Sequence, residues 1–282
     1  MIGKFKGKPR LVLTFFATLM GLGLIVYLVP FGEIAKTLNK LEPQRFSLAL
    51  LIYGISYLLR TLRWKYYYPN TPFGKLFFTT SVNTLLNNLL PARLGEFSIF
   101  VLLNRYDKNL KETVKKILKV RLLDGFALLT LFSFAVISVN FNPLWASVIA
   151  ISVYPTAVLL WNKLPLEQKF PKLKMDGIAF ALSVGALFFK LFSVYLVFHF
   201  LPLDFLKFTI GFLGGEISTI LPIHSLAGLG SYETAFSLAL KIFTGESFKK
   251  GFEVGFLSHS FLLGGSLLLG LLSLPFLVRG KP

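Results

Sequence analysis

The sequence contains no cysteine and few charged residues, and both absences narrow what the chain can do. Without cysteine it can form no disulfide, no thiolate metal site and no cysteine nucleophile. Charged residues make up 15% of the 282 residues, against about 25% in soluble domains. The HExxH, Walker and nucleophile-elbow motifs of common enzymes are also missing. We therefore expect a protein that is not an enzyme and that holds no cofactor and no metal ion.

Long apolar segments stand where a soluble protein would have charge. The residues are 54% hydrophobic, and the mean hydropathy is +0.68. A helix over Leu11–Pro30 would cover about 30 Å, which is the thickness of the hydrocarbon core of a bilayer. The pattern predicts an all-α polytopic protein of the cell inner membrane, with one transmembrane domain over residues 1–282. The predicted full spans are Leu11–Pro30, Phe46–Arg63, Leu122–Val139, Leu144–Trp161, Gly177–Phe200 and Phe252–Leu277.

Two further apolar regions are interrupted by residues that break helices. Phe73–Leu103 is broken at Leu90-Pro91-Ala92. Phe205–Phe243 is broken at Leu221-Pro222 and again at Gly228-Leu229-Gly230. Irregular backbone at membrane depth is tolerated only where it is buried in protein or lines a wet cavity. Each region is therefore predicted to be a re-entrant hairpin of two half-helices.

The distribution of basic residues predicts the orientation of the chain. The net charge of +17 would suggest nucleic acid in a soluble protein. Here the basic residues lie between apolar segments, so we expect no nucleic-acid partner and a cytoplasmic N-terminus. If each hairpin returns to the side of the membrane from which it entered, every basic cluster lies in the cytoplasm. The first hairpin then opens to the cytoplasm and the second opens to the outside. These clusters are Lys4–Arg10, Arg60–Lys75, Arg105–Arg121, Lys163–Lys174 and Arg279.

The order helix, helix, hairpin, helix then occurs twice, in residues 11–139 and in residues 144–277. Each half contains an odd number of full crossings, so the second half is inverted relative to the first. Inverted repeats of this kind are typical of transporters whose sites lie near the bilayer midplane. Roughly eight to ten plain crossings are the alternative, and that arrangement violates the positive-inside rule at one or more loops.

The Arg105–Arg121 segment combines apolar residues at helical spacing with several lysines. This pattern predicts an amphipathic helix that lies on the inner leaflet and attracts anionic lipid headgroups. A solvated basic loop that only fixes the topology is the alternative.

Polar residues collect at the two breaks, where an unpaired charge would be unfavourable by about 2.5 to 3.5 kcal/mol. They must be paired, hydrated or bound to a ligand. Pairs such as Arg93 with Glu216 or Glu233 would satisfy them, although helix capping or purely structural pairing would also explain the glutamates. The candidate site residues are Asn87, Asn88, Pro91, Arg93, Gly95 and Glu96 at the first break, and Glu216, Pro222, His224, Gly228, Gly230 and Glu233 at the second.

Three other features lie outside the breaks. Arg121 and Asp124 are spaced i, i+3 at the start of a span, and either pair with each other or leave the arginine to meet a lipid phosphate. Lys190 lies near the middle of a span, where pairing is expected. The three histidines have no spacing that suits a metal site, and only His224, within a break, is a functional candidate.

The motifs at the breaks resemble the lysylphosphatidylglycerol synthase transmembrane-region family. The resemblance rests on Asn87–Glu96, on Arg121-Leu-Leu-Asp124, on Leu221-Pro222 and on Gly228–Glu233, in that order. It implies lipid translocation. Because the chain ends at Pro282 without a soluble aminoacyl-transfer domain, we do not expect it to transfer lysine.

We therefore expect a lipid flippase or scramblase whose cavity lies between two opposed hairpins. Arg93 and Arg121 would receive phosphate, the two asparagines would hydrogen-bond the headgroup, and the glutamates would contact cations or exchange protons. Membrane lipids, anionic ones above all, are the expected partners. A homo-oligomer and a lipid-modifying enzyme partner are left open. The rival functions are a membrane enzyme with Glu96 or Glu233 as general base and an accessory protein of a glycosyltransferase.

Overall fold

In a computed structural model of the protein, residues 9–90, 95–107, 109–163, 175–219 and 225–279 are described, without the side chains of residues 9–14 and a few others, Glu96 among them. These residues form eleven α-helices and no strand. The helices are α1 (Pro9–Leu28), α2 (Phe31–Leu38), α3 (Pro43–Tyr67), α4 (Phe73–Leu89), α5 (Glu96–Asp107), α6 (Leu110–Asn140), α7 (Pro143–Lys163), α8 (Gly177–Val197), α9 (Phe205–Ser218), α10 (Ser231–Thr244) and α11 (Phe248–Arg279). A single 3-10 turn at Leu226–Gly228 precedes α10.

Five of the described helices are long and apolar enough to cross a membrane: α3, α6, α7, α8 and α11. They cover five of the six predicted spans. The remaining predicted span, Leu11–Pro30, contains the apolar part of α1 that is described, Phe15–Leu28. This part is shorter than the other five helices. The prediction of an all-α, multi-pass membrane protein is therefore confirmed.

The predicted surface helix over Arg105–Arg121 is wrong, and so is the alternative of a loop. Leu110 to Arg121 forms the first part of α6, which continues without interruption to Asn140. Asn109 caps this helix, since its side chain accepts a hydrogen bond from the backbone N–H of Glu112. No Gly or Pro lies between Leu110 and Asp124, so nothing in the sequence ends the helix at the membrane surface.

Each interrupted region folds into two packed antiparallel helices. In the second region, Gly211 contacts Phe236 and Gly215 contacts Tyr232, so residue numbers rise along α9 as they fall along α10. In the first region, the hydroxyl of Thr79 lies 3.3 Å from that of Tyr106, and Asn83 Nδ2 donates to Ser98 Oγ at 2.9 Å. The same reversal of direction therefore relates α4 and α5.

Helix neighbours in the first half correspond to those in the second half. Helix α4 packs against α11 while α9 packs against α6; α6 packs against α7 while α11 contacts α1; α5 contacts α6 while α10 contacts α11. Helices α3 and α8 pack against each other over a long interface. Both helices contribute residues to the cavity described below.

An aromatic core packs around one end of α3 and α8. Tyr53 and Tyr57 of α3 pack with residues of α9, α10 and α11 that include Phe212, Phe236 and Phe261. On α8 the same core begins at Leu187 and continues toward the C-terminal end of the helix. The opposite end of α3 and α8 carries polar residues, described below.

Asp176 ties four helices together at that opposite end. It caps α8 by accepting from the backbone N–H of Ala179, and it also accepts from Tyr67 of α3 at 2.9 Å and from Lys119 of α6 at 2.8 Å. Its own N–H donates to the Tyr154 hydroxyl of α7. Burial acts to raise the pKa of Asp176, but the hydrogen bonds, that from Lys119 first, outweigh burial and lower this pKa below its usual value.

Helix α1 contacts the turn before α10 through two glycines. A Cβ atom built on Gly21 would lie 2.3 Å from the carbonyl oxygen of Leu229, and one on Gly230 would lie 2.1 Å from the Cα of Gly21. Gly230 also has a φ of +82°, which disfavours a side chain. The N–H of Leu226 donates to the Thr18 hydroxyl at 2.9 Å beside this contact. The close approach of the two backbones therefore requires glycine at both positions.

The Gly21→Ala variant is expected to unfold at lower temperature than the wild type in detergent, because the added methyl group meets backbone that cannot rotate away. Overpacking of this kind destabilises by about 1 to 3 kcal/mol. Gly23→Ala is the matched control on the same helix, since a Cβ there meets nothing within 4 Å. Equal unfolding temperatures for the two variants would contradict the contact.

Candidate functional site

A cavity of about 560 Å³ lies between α3, α4, α6 and α8 and reaches the C-terminal ends of α4 and α9. Its lining combines charged, amide and hydroxyl groups with an apolar strip from α6. The polar and charged lining residues are Arg60, Arg63, Thr80, Asn83, Thr84, Asn87, Asn88, Arg121, Asp124, Ser183, Lys190, Glu216, Thr219 and His259.

Arg63 of α3 joins three helices at the edge of the cavity. Its guanidinium makes two hydrogen bonds to the Asp124 carboxylate of α6, the longer of them 3.2 Å, and another to the Ser183 hydroxyl of α8. Arg63 is only 3% exposed. Arg121, the predicted partner of Asp124, lies farther away at 3.8 Å. The Arg121–Asp124 pair, one of the two alternatives that the sequence left open, is therefore present, but the closer ionic partner of Asp124 comes from another helix.

Lys190 of α8 holds Glu216 at the end of α9. The ammonium donates to both carboxylate oxygens at 2.7 Å, and both side chains are largely buried. The predicted pairing of Lys190 is confirmed. The carboxylate of Glu216 is thus engaged by Lys190. Arg93, the partner that the sequence suggested for it, lies outside the described residues.

Glu233 of α10 is fully buried and pairs with His259 of α11. One carboxylate oxygen lies 2.8 Å from Nδ1 of His259, and the other accepts the backbone N–H of Gly230 at 2.6 Å. Capping and pairing, which the sequence left as alternatives, therefore occur together. His259 lines the cavity and shields Glu233 from it. His259 is therefore a functional candidate that the sequence did not predict. His224, the predicted one, lies outside the described residues.

The first hairpin contributes amide groups to the cavity. Asn88 Nδ2 donates to the Ser266 hydroxyl of α11 at 2.8 Å, and Asn83 Nδ2 donates to the carbonyl of Gly95 at 3.1 Å. Gly95 lies against the backbone of Asn87, where a Cβ would come within 2.3 Å of a nitrogen atom. Gly95, next to the start of α5, is therefore held against α4 by close backbone packing and by an amide hydrogen bond.

The structure brings together five predicted site residues at the cavity: Asn87, Asn88, Arg121, Asp124 and Glu216. Glu233 lies directly behind His259, and Gly95, Gly228 and Gly230 occupy turns. Pro91, Arg93, Pro222, His224 and the Glu96 side chain lie outside the described part of the chain. Within that part, no three His, Asp or Glu side chains converge as metal ligands would.

Sequence reasoning missed several cavity residues, Arg60 and Arg63 above all. Their spacing of i, i+3 at the end of a predicted span was a usable signal, because it places both on one helix face. Together with Lys65 and Lys75, however, they also fit a cluster of cytoplasmic charge. Asn83, at i−4 from Asn87, also shares a helix face with a predicted residue. Ser183 carried no signal, since isolated serines are common in membrane helices.

Cationic groups outnumber carboxylates in the described lining. Arg60, Arg63, Arg121 and Lys190 face only Asp124 and Glu216. Such an excess of positive charge, surrounded by apolar helices, would attract an anion strongly because the local dielectric is low.

The Lys190–Glu216 pair gives a direct test of this arrangement. Lys190→Met should destabilise the protein by about 3 to 5 kcal/mol, because it leaves the Glu216 carboxylate buried without its partner. The double variant Lys190→Met/Glu216→Gln should recover much of that loss, since no charge is then left unpaired. Unfolding in detergent measures both. If the double variant is as unstable as the sum of its single variants, the two side chains are not coupled.

Comparison with known proteins covers a larger part of the chain than the residues of the cavity. Among curated proteins, none matches the chain. The family model described as the lysylphosphatidylglycerol synthase TM region matches residues 11–270. This match includes both hairpins and every residue named above as lining the cavity, and it confirms the resemblance found at the breaks. The chain therefore belongs to the lysylphosphatidylglycerol synthase transmembrane-region family.

Proposed function

We propose that this protein is a lipid flippase or scramblase, in which a polar headgroup enters the cavity while the lipid tails stay in the bilayer. The observation that carries the proposal is a cavity with buried charges in a molecule built of apolar spanning helices. Membership of a lipid-related membrane family agrees with it.

The two walls of the cavity differ in a way that fits an amphipathic substrate. Thr80, Asn83, Thr84 and Asn87 recur at helical spacing and form a polar face of α4. The opposing α6 contributes Leu122, Phe126 and Leu129 at the same kind of spacing. Leu129 is 51% exposed although it lines the cavity. We take this apolar strip as a lateral opening to the bilayer, through which tails would extend.

The cavity addresses the main energetic barrier to lipid movement, which is the loss of water around the headgroup. An ion transferred from water to an apolar medium without compensating contacts is strongly disfavoured. Arginine, lysine and amide side chains along the wall would replace the lost hydration with hydrogen bonds. The lipid tails need no such help, since they never leave an apolar environment.

We further propose that the two halves are inverted repeats and that the hairpins are re-entrant. The corresponding helix neighbours in the two halves support this plan, as do two antiparallel helix pairs that both contribute residues to one cavity. The aromatic core packs at one end of α3 and α8, and Arg63 and Ser183 lie toward the other end. If the packed end and the polar end exchanged places, the site would be exposed to each leaflet in turn.

A catalytic role receives less support from the same geometry. Glu233 is fully buried, and its two oxygens are engaged by His259 and by the N–H of Gly230. A general base must reach the proton that it removes. We therefore propose that the chain is not an enzyme.

The inverted plan predicts opposite sidedness for two equivalent lysines. Lys111 is the second residue of α6, after the first hairpin, and Lys249 is the second residue of α11, after the second. In cells, a membrane-impermeant maleimide should label Lys249→Cys from outside, and Lys111→Cys only after permeabilisation. The wild type contains no cysteine and serves as the blank. Labelling of both variants from the same side would exclude the inverted arrangement.

Transport itself is tested in proteoliposomes that contain a fluorescent lipid. A membrane-impermeant reductant bleaches only the labelled lipid in the outer leaflet, so the bleached fraction of the lipid reports exchange between leaflets. The wild type should accelerate exchange between leaflets over protein-free vesicles. Gly125 lines the cavity, and a Cβ there meets nothing within 4 Å. Gly125→Leu should therefore fill the cavity without unfolding the protein and should slow exchange toward the protein-free rate.

Gly54→Leu is the matched control, because Gly54 has the same free space but lies outside the described cavity lining. It should exchange lipid at the wild-type rate. Lipid distributions that stay at the protein-free rate for every lipid tested would contradict the proposed function. Equal slowing by both leucine variants would contradict the assignment of the cavity as the route.

A further inference from the structure

Arg60 differs from the other ionic groups of the cavity. It lies one helical turn before Arg63 on α3, lines the cavity and is half-buried. Its guanidinium lies 5.9 Å from the centre of the Tyr57 ring. No described carboxylate lies within 4.0 Å of it, whereas Arg63 and Lys190 are each bound to one. Its guanidinium is therefore available to a ligand.

The carboxylates of the cavity are, by contrast, already occupied. Both oxygens of Glu216 accept hydrogen bonds from Lys190. Both oxygens of Asp124 accept hydrogen bonds from Arg63. Glu233 lies behind His259 and caps its own helix. A ligand ammonium entering the described part of the cavity would thus find no unengaged carboxylate and would meet several cations.

We propose that the cavity selects lipids whose headgroup carries a phosphate without a compensating ammonium, and that Arg60 binds this phosphate. This inference rests on the proposed lipid transport and narrows its substrate class. Phosphatidylglycerol and polyprenyl phosphates belong to the selected class. Zwitterionic phosphatidylcholine and cationic lysyl-phosphatidylglycerol do not.

The chemistry of arginine suits this task better than that of lysine. A guanidinium presents paired N–H donors that match two phosphate oxygens, and it is more weakly hydrated than an ammonium. The Tyr57 ring contacts the guanidinium from one side and limits its orientations. Lys190 could not replace it, because its ammonium is already committed to Glu216.

The selectivity can be measured on the detergent-solubilised full chain with short-chain lipids. The probes are dioctanoyl forms of phosphatidylglycerol, phosphatidylcholine and lysyl-phosphatidylglycerol, together with a short polyprenyl phosphate. Inorganic phosphate and glycerol phosphate form a separate arm, which distinguishes a lipid headgroup from a soluble anion. The wild type should bind phosphatidylglycerol about tenfold more tightly than the lysylated lipid, a difference of one charge-assisted contact.

Arg60→Gln should reduce this preference to about twofold or less, while Arg60→Lys should keep the preference with weaker binding. Arg45→Gln is the matched control, because Arg45 lies on the same helix and its partly exposed side chain contacts Glu42 and His199 outside the cavity. It should bind like the wild type. If Arg60→Gln fails to fold, the wild type is compared with Arg60→Lys instead. The wild type must then bind phosphatidylglycerol more tightly, because a guanidinium offers paired donors to a phosphate and an ammonium does not.

The outcomes separate this inference from the function on which it rests. Equal or tighter binding of the lysylated lipid by the wild type would overturn the selectivity while leaving lipid transport intact. An unchanged preference in Arg60→Gln would overturn the role of Arg60 alone. Tight binding of glycerol phosphate together with no lipid exchange in proteoliposomes would overturn both, because the site would then belong to a soluble anion.

Discussion

The structure depends on the pairing of buried charges between helices. A single ionised side chain within a bilayer is unfavourable by several kcal/mol, and a partner on a neighbouring helix removes most of that penalty. Arg63 with Asp124 joins α3 to α6, and Lys190 with Glu216 joins α8 to α9. A hydrogen bond between His259 and the buried Glu233 joins α11 to α10. Each pair crosses a helix interface, so the pairs fix which helices can be neighbours.

Close packing of small residues supplies the second constraint. In lipid the hydrophobic effect does not drive helices together, so association depends on van der Waals contact and hydrogen bonds. Gly211 and Gly215 allow the Phe236 and Tyr232 rings of α10 to lie directly on the backbone of α9. This contact sets the register of the hairpin. The register in turn places Glu216 where Lys190 can reach it.

The sequence predicted the elements of this fold better than it predicted their partners. Spans and breaks follow from apolar length and from residues such as Pro91 and Gly230, because their effects are local. Glu216 and Asp124 were recognised as important for the same reason, since a charge within an apolar run is visible in one dimension. Their partners were not, because pairing is a property of helix neighbours. The sequence alone therefore predicts Arg63 to be a cytoplasmic charge, because it does not show which helices are neighbours.

The same reasoning explains why a cavity built from paired charges can still act on a ligand. Carboxylates neutralised by Arg63 and Lys190 contribute shape and rigidity, yet they offer no net attraction to an incoming ammonium. In the proposed function, the guanidinium of Arg60, which has no ion pair with a described carboxylate, provides the attraction for a phosphate. A transport site must bind well enough to admit its substrate and weakly enough to release it. A single cationic contact, in a cavity whose other charges are already paired, meets both conditions. Several unpaired cations would instead hold a phosphate too long for rapid exchange.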